Sequence, residues 1–292
     1  KLVVVGGNGF IGSAICRSAL AHGMQVTSVS SSGRAYQTPK GHTPAWVNKV
    51  EWVKGDALRP ETFASHLEDA DAVVHSLGIL LEDAGYKRAV RAGDALGVLR
   101  AALSGGRNPL DTTAATYEKM NRDAALRVCE AFVAAPASSG AGVRPFVFIS
   151  AADVFRPWVS ERYIESKRDA EAAIDALLAP HSARFRGVYL RPGLVYHAHL
   201  RPLTTPPAAL LDVSASLAAR LPGTIRDPLR AAVARLPRVS EKTPSSIASV
   251  ANALVTPPVH VDHVGAAAVQ ACLDPGISGA VGVRRMREMI GW

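Results

Sequence analysis

KLVVVGGNGFIGSAICRSAL, residues 1–20, places an apolar, β-branched run directly against three glycines and then an alanine-rich stretch of helical periodicity. Leu2 to Val5 reads as a strand buried on both faces, and Gly12 to His22 as a helix. Gly6, Gly9 and Gly12 fall between them. In such a turn the first glycine permits the tight bend, the second lets backbone approach a pyrophosphate, and the third lets the helix pack on the strand. The phosphates then lie at the positive end of the helix. A lone glycine triplet carries little information, but one set between a first strand and a helix is a dinucleotide-binding signature.

The end of the next strand reads VSSSGR. An acid at this place would hold the ribose 2′-hydroxyl and repel a 2′-phosphate. Ser30, Ser31 and Arg34 offer hydroxyls and a guanidinium instead, which suits a phosphate monoester. NADP(H) is therefore expected in preference to NAD(H). In VKGDAL, Asp56 follows the third strand, where a carboxylate can accept from an adenine amino group. His75 and Gly78 in VVHSLG mark the end of the fourth strand, with His75 read as a satisfied core or rim histidine.

Outward from these motifs, β-branched runs at Val26 to Val29, Val50 to Val53, Ala72 to His75, Phe146 to Ser150 and Gly187 to Arg191 alternate with helical patterns at Glu61 to Leu67, Tyr117 to Ala134 and Tyr163 to Leu178. That alternation specifies an α/β fold, a Rossmann-type doubly wound parallel sheet. The reading divides the chain into a nucleotide-binding domain at 1–193 and a smaller substrate- and membrane-facing region at 194–292, interleaved with the core near 259–273. Residues 82–116 form a long connection of the kind that is usually functional. The segment 201–258 holds nine of the 19 prolines, so short helices are expected there.

With 292 residues, 48% of them hydrophobic and 20% charged, the chain is globular. No apolar run approaches the ~20 residues needed to cross a bilayer. The formal net charge of +8 favours acidic partners such as nucleotide phosphate or an anionic membrane surface. With aromatics at only 6%, a stacking platform for nucleic acid is not expected. Cys16, Cys129 and Cys272 lie in apolar settings and read as buried free thiols. The chain begins at Lys1 without a methionine, which leaves a processed leader open.

YIESK, 163–167, puts a tyrosine and a lysine one helical turn apart on the same face. An ammonium beside a phenol favours phenolate, so Tyr163 is expected to titrate below its ordinary range. Together with GGNGFIG, GDALRP, VVHSLG, TYEKMNRDAA, FVFISA, YLRPGLVY and VHVDHVGAAAV, this pair resembles the extended or atypical branch of the short-chain dehydrogenase/reductase superfamily. VVHSLGILLE, GGRNPL, ISAADVF and YIESKRDAE are similar to the fungal mitochondrial branch tied to coenzyme Q biosynthesis, whose relatives include the nucleotide-binding accessory subunit of respiratory complex I.

The resemblance implies catalytic roles for Ser150, Tyr163 and Lys167, with Asn121 in the proton relay. It implies cofactor contacts from Asn8, Phe10 and Ile11 in the turn, from Ala57, from Ser76 and Leu77, from Lys167, and from Arg191, Pro192, Gly193 and Val195. An NADP(H)-dependent oxidoreductase acting on a quinone-ring precursor follows, peripheral to the matrix side of the mitochondrial inner membrane and in contact with coenzyme Q biosynthetic proteins. The rival is a nucleotide-stabilised structural or regulatory subunit of an inner-membrane complex. A soluble reductase or epimerase of a small carbonyl or sugar nucleotide is a third reading.

Two further stretches carry expectations. In IRDPLRAAVARLPR, Asp227 can cap a helix starting at Pro228, with Leu229, Val233 and Leu236 apolar and Arg226, Arg230, Arg235 and Arg238 basic, a pattern that suits either an anionic membrane surface or a helix packed on the core with its arginines solvated. HAH at 197–199 has no third ligand within sequence reach, and no metal is assigned.

Overall fold

A computed structural model describes residues 1–78, 117–136, 142–154, 159–220 and 246–292. The connection 82–116, the GGRNPL stretch and the basic helix expected at 226–238 lie outside these residues. Seven parallel strands form the main sheet in the order β3-β2-β1-β4-β5-β6-β9. They are β1 (Leu2–Val5), β2 (Val26–Ser30), β3 (Val50–Lys54), β4 (Ala72–His75), β5 (Arg144–Ile149), β6 (Phe185–Arg191) and β9 (Gly279–Gly282). A separate two-stranded parallel pair joins β7 (Val195–Tyr196) to β8 (Val259–His260). This is the doubly wound α/β architecture expected.

Alternation along β1 explains the two cores. Leu2 and Val4 join Ile15, Val147, Val264 and Ala268 on one face. Val3 and Val5 join Phe63, Phe132, Phe146 and Ile174 on the other. Successive side chains of a strand point to opposite faces, so a sheet covered twice demands an uninterrupted apolar run, and β1 is buried at all four positions. One layer carries helices α1 (Phe10–Ala21) and α7 (Val261–Leu273), and the other carries α2 (Ala64–Leu67), α3 (Ala124–Ala134) and α4 (Glu161–Leu178).

Two departures from expectation have physical causes. Tyr117 to Ala134 is not one regular α-helix, because Glu118–Asp123 is a π-helical turn before α3 begins. Such turns often reposition side chains at functional sites, and here the turn carries buried Asn121. The proline-rich segment contains α5 (Thr205–Arg220), 16 residues long, rather than only short helices. Pro206 and Pro207 sit in its first turn, where backbone N–H groups have no intrahelical partner to lose. Helices α6 (Ser246–Val255) and α8 (Val283–Met289) complete the described chain. None of the described helices is long and apolar enough to cross a membrane.

Candidate functional site

A cavity of about 420 Å³ opens at the carboxyl ends of β1, β4, β5 and β6, lined by Gly6, Asn8, Gly9, Phe10, Ile11 and Gly12 on one side and by Ser150, Tyr163 and Lys167 on the other. Ser76, Leu77 and Gly78 and then Pro192, Gly193 and Val195 close it. Its size suits a small-molecule site, and its place is the crevice at which open α/β sheets bind ligands.

The turn has the geometry its glycines imply. Gly6 has φ +91°, its N–H donates to the Val29 carbonyl at 2.8 Å, and Gly9 N–H donates to the Gly6 carbonyl at 2.9 Å. A Cβ at position 12 would lie 2.2 Å from the Gly6 carbonyl oxygen, so only glycine lets α1 start so close to the strand. No side chain caps α1 and no acid occupies its first turn. The helix end therefore presents its amides and partial positive charge to an incoming anion, and the residues of this wall fit a dinucleotide.

Around β2 the polar groups cluster as follows. Ser30 Oγ accepts from Gly33 N–H at 3.1 Å, whereas Ser31 and Arg34 are exposed. Ser32, passed over in the sequence, accepts from Asn8 Nδ2 at 3.4 Å and from Arg34 N–H at 3.3 Å. It ties this loop to the glycine turn. Asp56 accepts from Leu58 N–H and from Arg59 Nε, each at 3.0 Å, and these contacts, the backbone one first, hold its carboxyl below the usual range. Ala57 is buried beside it. Ser30, Ser31, Arg34, Asp56 and Ala57 do not line the cavity.

The second wall belongs to α4, where Tyr163, Lys167 and Glu171 follow one another by single turns. Lys167 is 2% exposed. Its Nζ donates to the Ile149 carbonyl at 2.9 Å and the Leu77 carbonyl at 3.2 Å, and lies 4.5 Å from the Phe148 ring centroid. A Cβ on Gly78 would come within 2.8 Å of that ammonium. Burial lowers Lys167 to about 7, with Glu171 opposing the shift.

The expectation that this ammonium would pull the Tyr163 phenol down is corrected. Burial, with Tyr117 at 6.1 Å between ring centroids, pushes Tyr163 up to about 12, and Arg168 opposes only in part. The reason is direction, since Lys167 turns its ammonium to sheet carbonyls. Tyr163 therefore faces the cavity as a protonated phenol at neutral pH.

Ser150 follows β5, and its N–H donates to the Leu190 carbonyl at 2.7 Å. Its hydroxyl donates to Glu171 Oε1 at 2.5 Å and accepts from Arg168 Nη1 at 3.1 Å. Arg191 Nε donates to the same Glu171 oxygen at 3.0 Å, and Arg191 Nη2 pairs with its other oxygen. Glu171 is thus a buried carboxylate shared by Ser150, Arg168 and Arg191, and Arg191 serves it rather than the cavity. Asn121 Nδ2 donates to Ser166 Oγ at 3.1 Å, behind Gly78 rather than on the lining.

His75 is fully buried with neither ring nitrogen hydrogen-bonded, which corrects its reading as a satisfied histidine. Burial, then Lys167, lowers it to about 3, so it is neutral. The thiols are free as expected, with Cys16 and Cys129 buried and Cys272 partly so.

Sequence reasoning missed Glu171, Arg168 and Arg201. Glu171 had a signal, since it continues the stripe of Tyr163 and Lys167 by one more turn. The HAH stretch also finds company that its sequence lacked, because the β7–β8 pairing brings His260 and Asp262 within 4.8 Å of His197. His197 Nδ1 accepts from the N–H groups of His199 and Leu200 at 3.1 and 3.2 Å, and His260 Nδ1 accepts from Asp262 N–H at 3.3 Å. Asp262 also pairs with Arg17. These lone pairs cap a turn and a helix.

A sequence profile described as NAD(P)H-binding matches residues 6–197. MIOREX complex component 2 of Saccharomyces cerevisiae is 35% identical over 209 residues, covering 68% of this chain and 74% of its own. An uncharacterized chloroplastic protein of Arabidopsis thaliana is 28% identical over 291 residues, 99% of this chain and 76% of its own. Among solved structures, 3-oxoacyl-[acyl-carrier protein] reductase from Brucella melitensis in complex with NAD superposes with a TM-score of 0.60 at 17% identity, over 100% of this chain and 98% of that one.

Proposed function

Since the chain belongs to the NAD(P)H-binding family, we propose that it is an NADP(H)-dependent oxidoreductase of the short-chain dehydrogenase/reductase type. The observation that carries the reading is that a single cavity joins the glycine turn to Tyr163. Residues 1–193 hold the nucleotide and 194–292 form the substrate- and membrane-facing side. The Gly6 to Gly12 amides hold the pyrophosphate, and Ser31, Ser32 and Arg34 meet the 2′-phosphate. The nucleotide supplies hydride when bound.

Tyr163 is the general acid. A phenol raised to about 12 stays protonated at neutral pH and gives its proton to a substrate oxygen, which favours the reductive direction. Lys167 braces the ends of β4 and β5 through their carbonyls and so fixes the floor on which a nicotinamide ring would rest. Ser150 already donates to Glu171 and can only accept from a ligand while that bond stands. Asn121 holds Ser166 on α4 and positions that helix.

The substrate class we propose is a quinone-ring precursor of coenzyme Q biosynthesis, handled on the matrix side of the mitochondrial inner membrane. The apolar cavity wall of Ile149, Val154, Val159, Ile164 and Leu194 supports a flat, largely apolar ligand. Oxidation of NADPH by such precursors, followed for wild type and Tyr163→Phe, is the test. Turnover in wild type that drops in the variant is expected, and equal rates in both would overturn the role of Tyr163.

A second reading has its own support. Ser150 and Lys167 are both bound to protein groups, and the yeast relative is named as the component of a complex. Under it the nucleotide stabilises a subunit of an assembly, and NADPH binds without being consumed.

A further inference from the structure

Among the described residues, the cavity lining includes two cationic side chains, Lys167 and Arg201. Lys167 is directed into the sheet, whereas Arg201 comes from the segment after β7 and is exposed, with its guanidinium carbon 4.0 Å from the Phe10 ring centroid. Phe10 is the first residue of α1, immediately after Gly9. Stacking on this ring places the charge of Arg201 at the helix end that forms the first cavity wall.

The backbone around Arg201 is fixed. Its N–H donates to the His197 carbonyl at 2.9 Å, and its carbonyl accepts from Thr204 N–H at 3.0 Å and Thr204 Oγ1 at 2.7 Å. A dinucleotide brings two negative charges on its pyrophosphate, whereas a helix end offers about half a charge. The turn GGNGFIG contains no cationic side chain. A guanidinium presents its N–H groups in a planar fork that matches phosphate oxygens.

We propose that Arg201 is the pyrophosphate clamp of this site, reaching from the C-terminal region to hold the diphosphate against the α1 amides. Cofactor binding thereby links the two parts of the chain. The proposal deepens the nucleotide reading above and rests on it.

NADPH and adenosine 2′,5′-bisphosphate, which lacks the pyrophosphate, are titrated against wild type, Arg201→Gln and Arg201→Lys. Arg201→Gln is expected to weaken NADPH by about tenfold or more and to flatten its salt dependence. Arg201→Lys should recover part of the loss, and the bisphosphate should bind all three proteins alike. Equal NADPH affinity for wild type and Arg201→Gln would overturn the clamp alone. So would an equal loss for the bisphosphate, which would put Arg201 elsewhere on the nucleotide. A wild type that binds no NADPH would overturn the nucleotide reading and the clamp with it.

Discussion

The two walls of the cavity are built on opposite principles. The glycine turn is made of backbone, with no acid in its first helical turn and no side-chain cap, so its donors face the place a ligand would take. The α4 wall is rich in polar side chains, yet Ser150 is bound to Glu171 and Lys167 to the Leu77 and Ile149 carbonyls, while Asn121, behind the wall, is bound to Ser166. Tyr163 is the member of that wall for which the cavity is the natural partner. One wall is organised to receive an anion, the other to hold itself rigid around a single phenol. Residues of one motif can therefore share a wall while most of their hydrogen bonds run to protein groups.

The comparison breaks most sharply at Gly12. A side chain there meets the Gly6 carbonyl, and Gly12→Val should reduce NADPH affinity by about 10²-fold or more through forced backbone displacement, read by fluorescence titration. If affinity is retained, the first wall is not the binding wall. On the opposite wall, Tyr163→Phe keeps the ring and removes the exchangeable proton. Turnover should fall about 10²-fold with NADPH affinity unchanged, a separation that would fail if the phenol also bound the nucleotide.

Smaller effects sharpen the contrast. Arg34 is exposed on the loop that Ser32 ties to Asn8, so Arg34→Ala should lower NADPH affinity by about tenfold and leave NADH unchanged. Equal affinities of wild type for the two nucleotides would remove the basis for that preference. Lys167 supplies a pH test. Its folded value of about 7 lies below the ordinary 10.5, so between these values the unfolded chain holds a proton that the folded chain has released. Stability therefore rises with pH in this window, by at most ~1.4 kcal/mol per pH unit. Denaturant unfolding of Lys167→Met should lack this rise, and parallel profiles for the two proteins would mean that the lysine is not buried as described.

Local pattern carried much of this to the reader of the sequence alone. Leu2 to Val5 and the glycine spacing specify strand, turn and helix because buried parallel strands and phosphate turns impose those residue types over a few positions. The pairing of Tyr163 with Lys167 on one face follows from helical geometry. What the pair does was not legible, since the direction of Lys167 depends on the Leu77 carbonyl just beyond β4 and the Ile149 carbonyl of β5, 90 and 18 residues away. The approach of His260 and Asp262 to His197 likewise depends on the β7–β8 pairing. Strand β9, GAVG, has two glycines in four residues and little strand propensity of its own, and it is recruited by the open edge of β6.

Hydrogen–deuterium exchange of the intact protein with and without NADPH reports on both cavity walls at once. Bound NADPH should slow exchange in peptides covering residues 6–13, 76–78 and 192–195 and leave strand β9 unchanged. Absence of protection in the glycine turn, or protection confined to segments outside the cavity, would contradict nucleotide binding in this cavity.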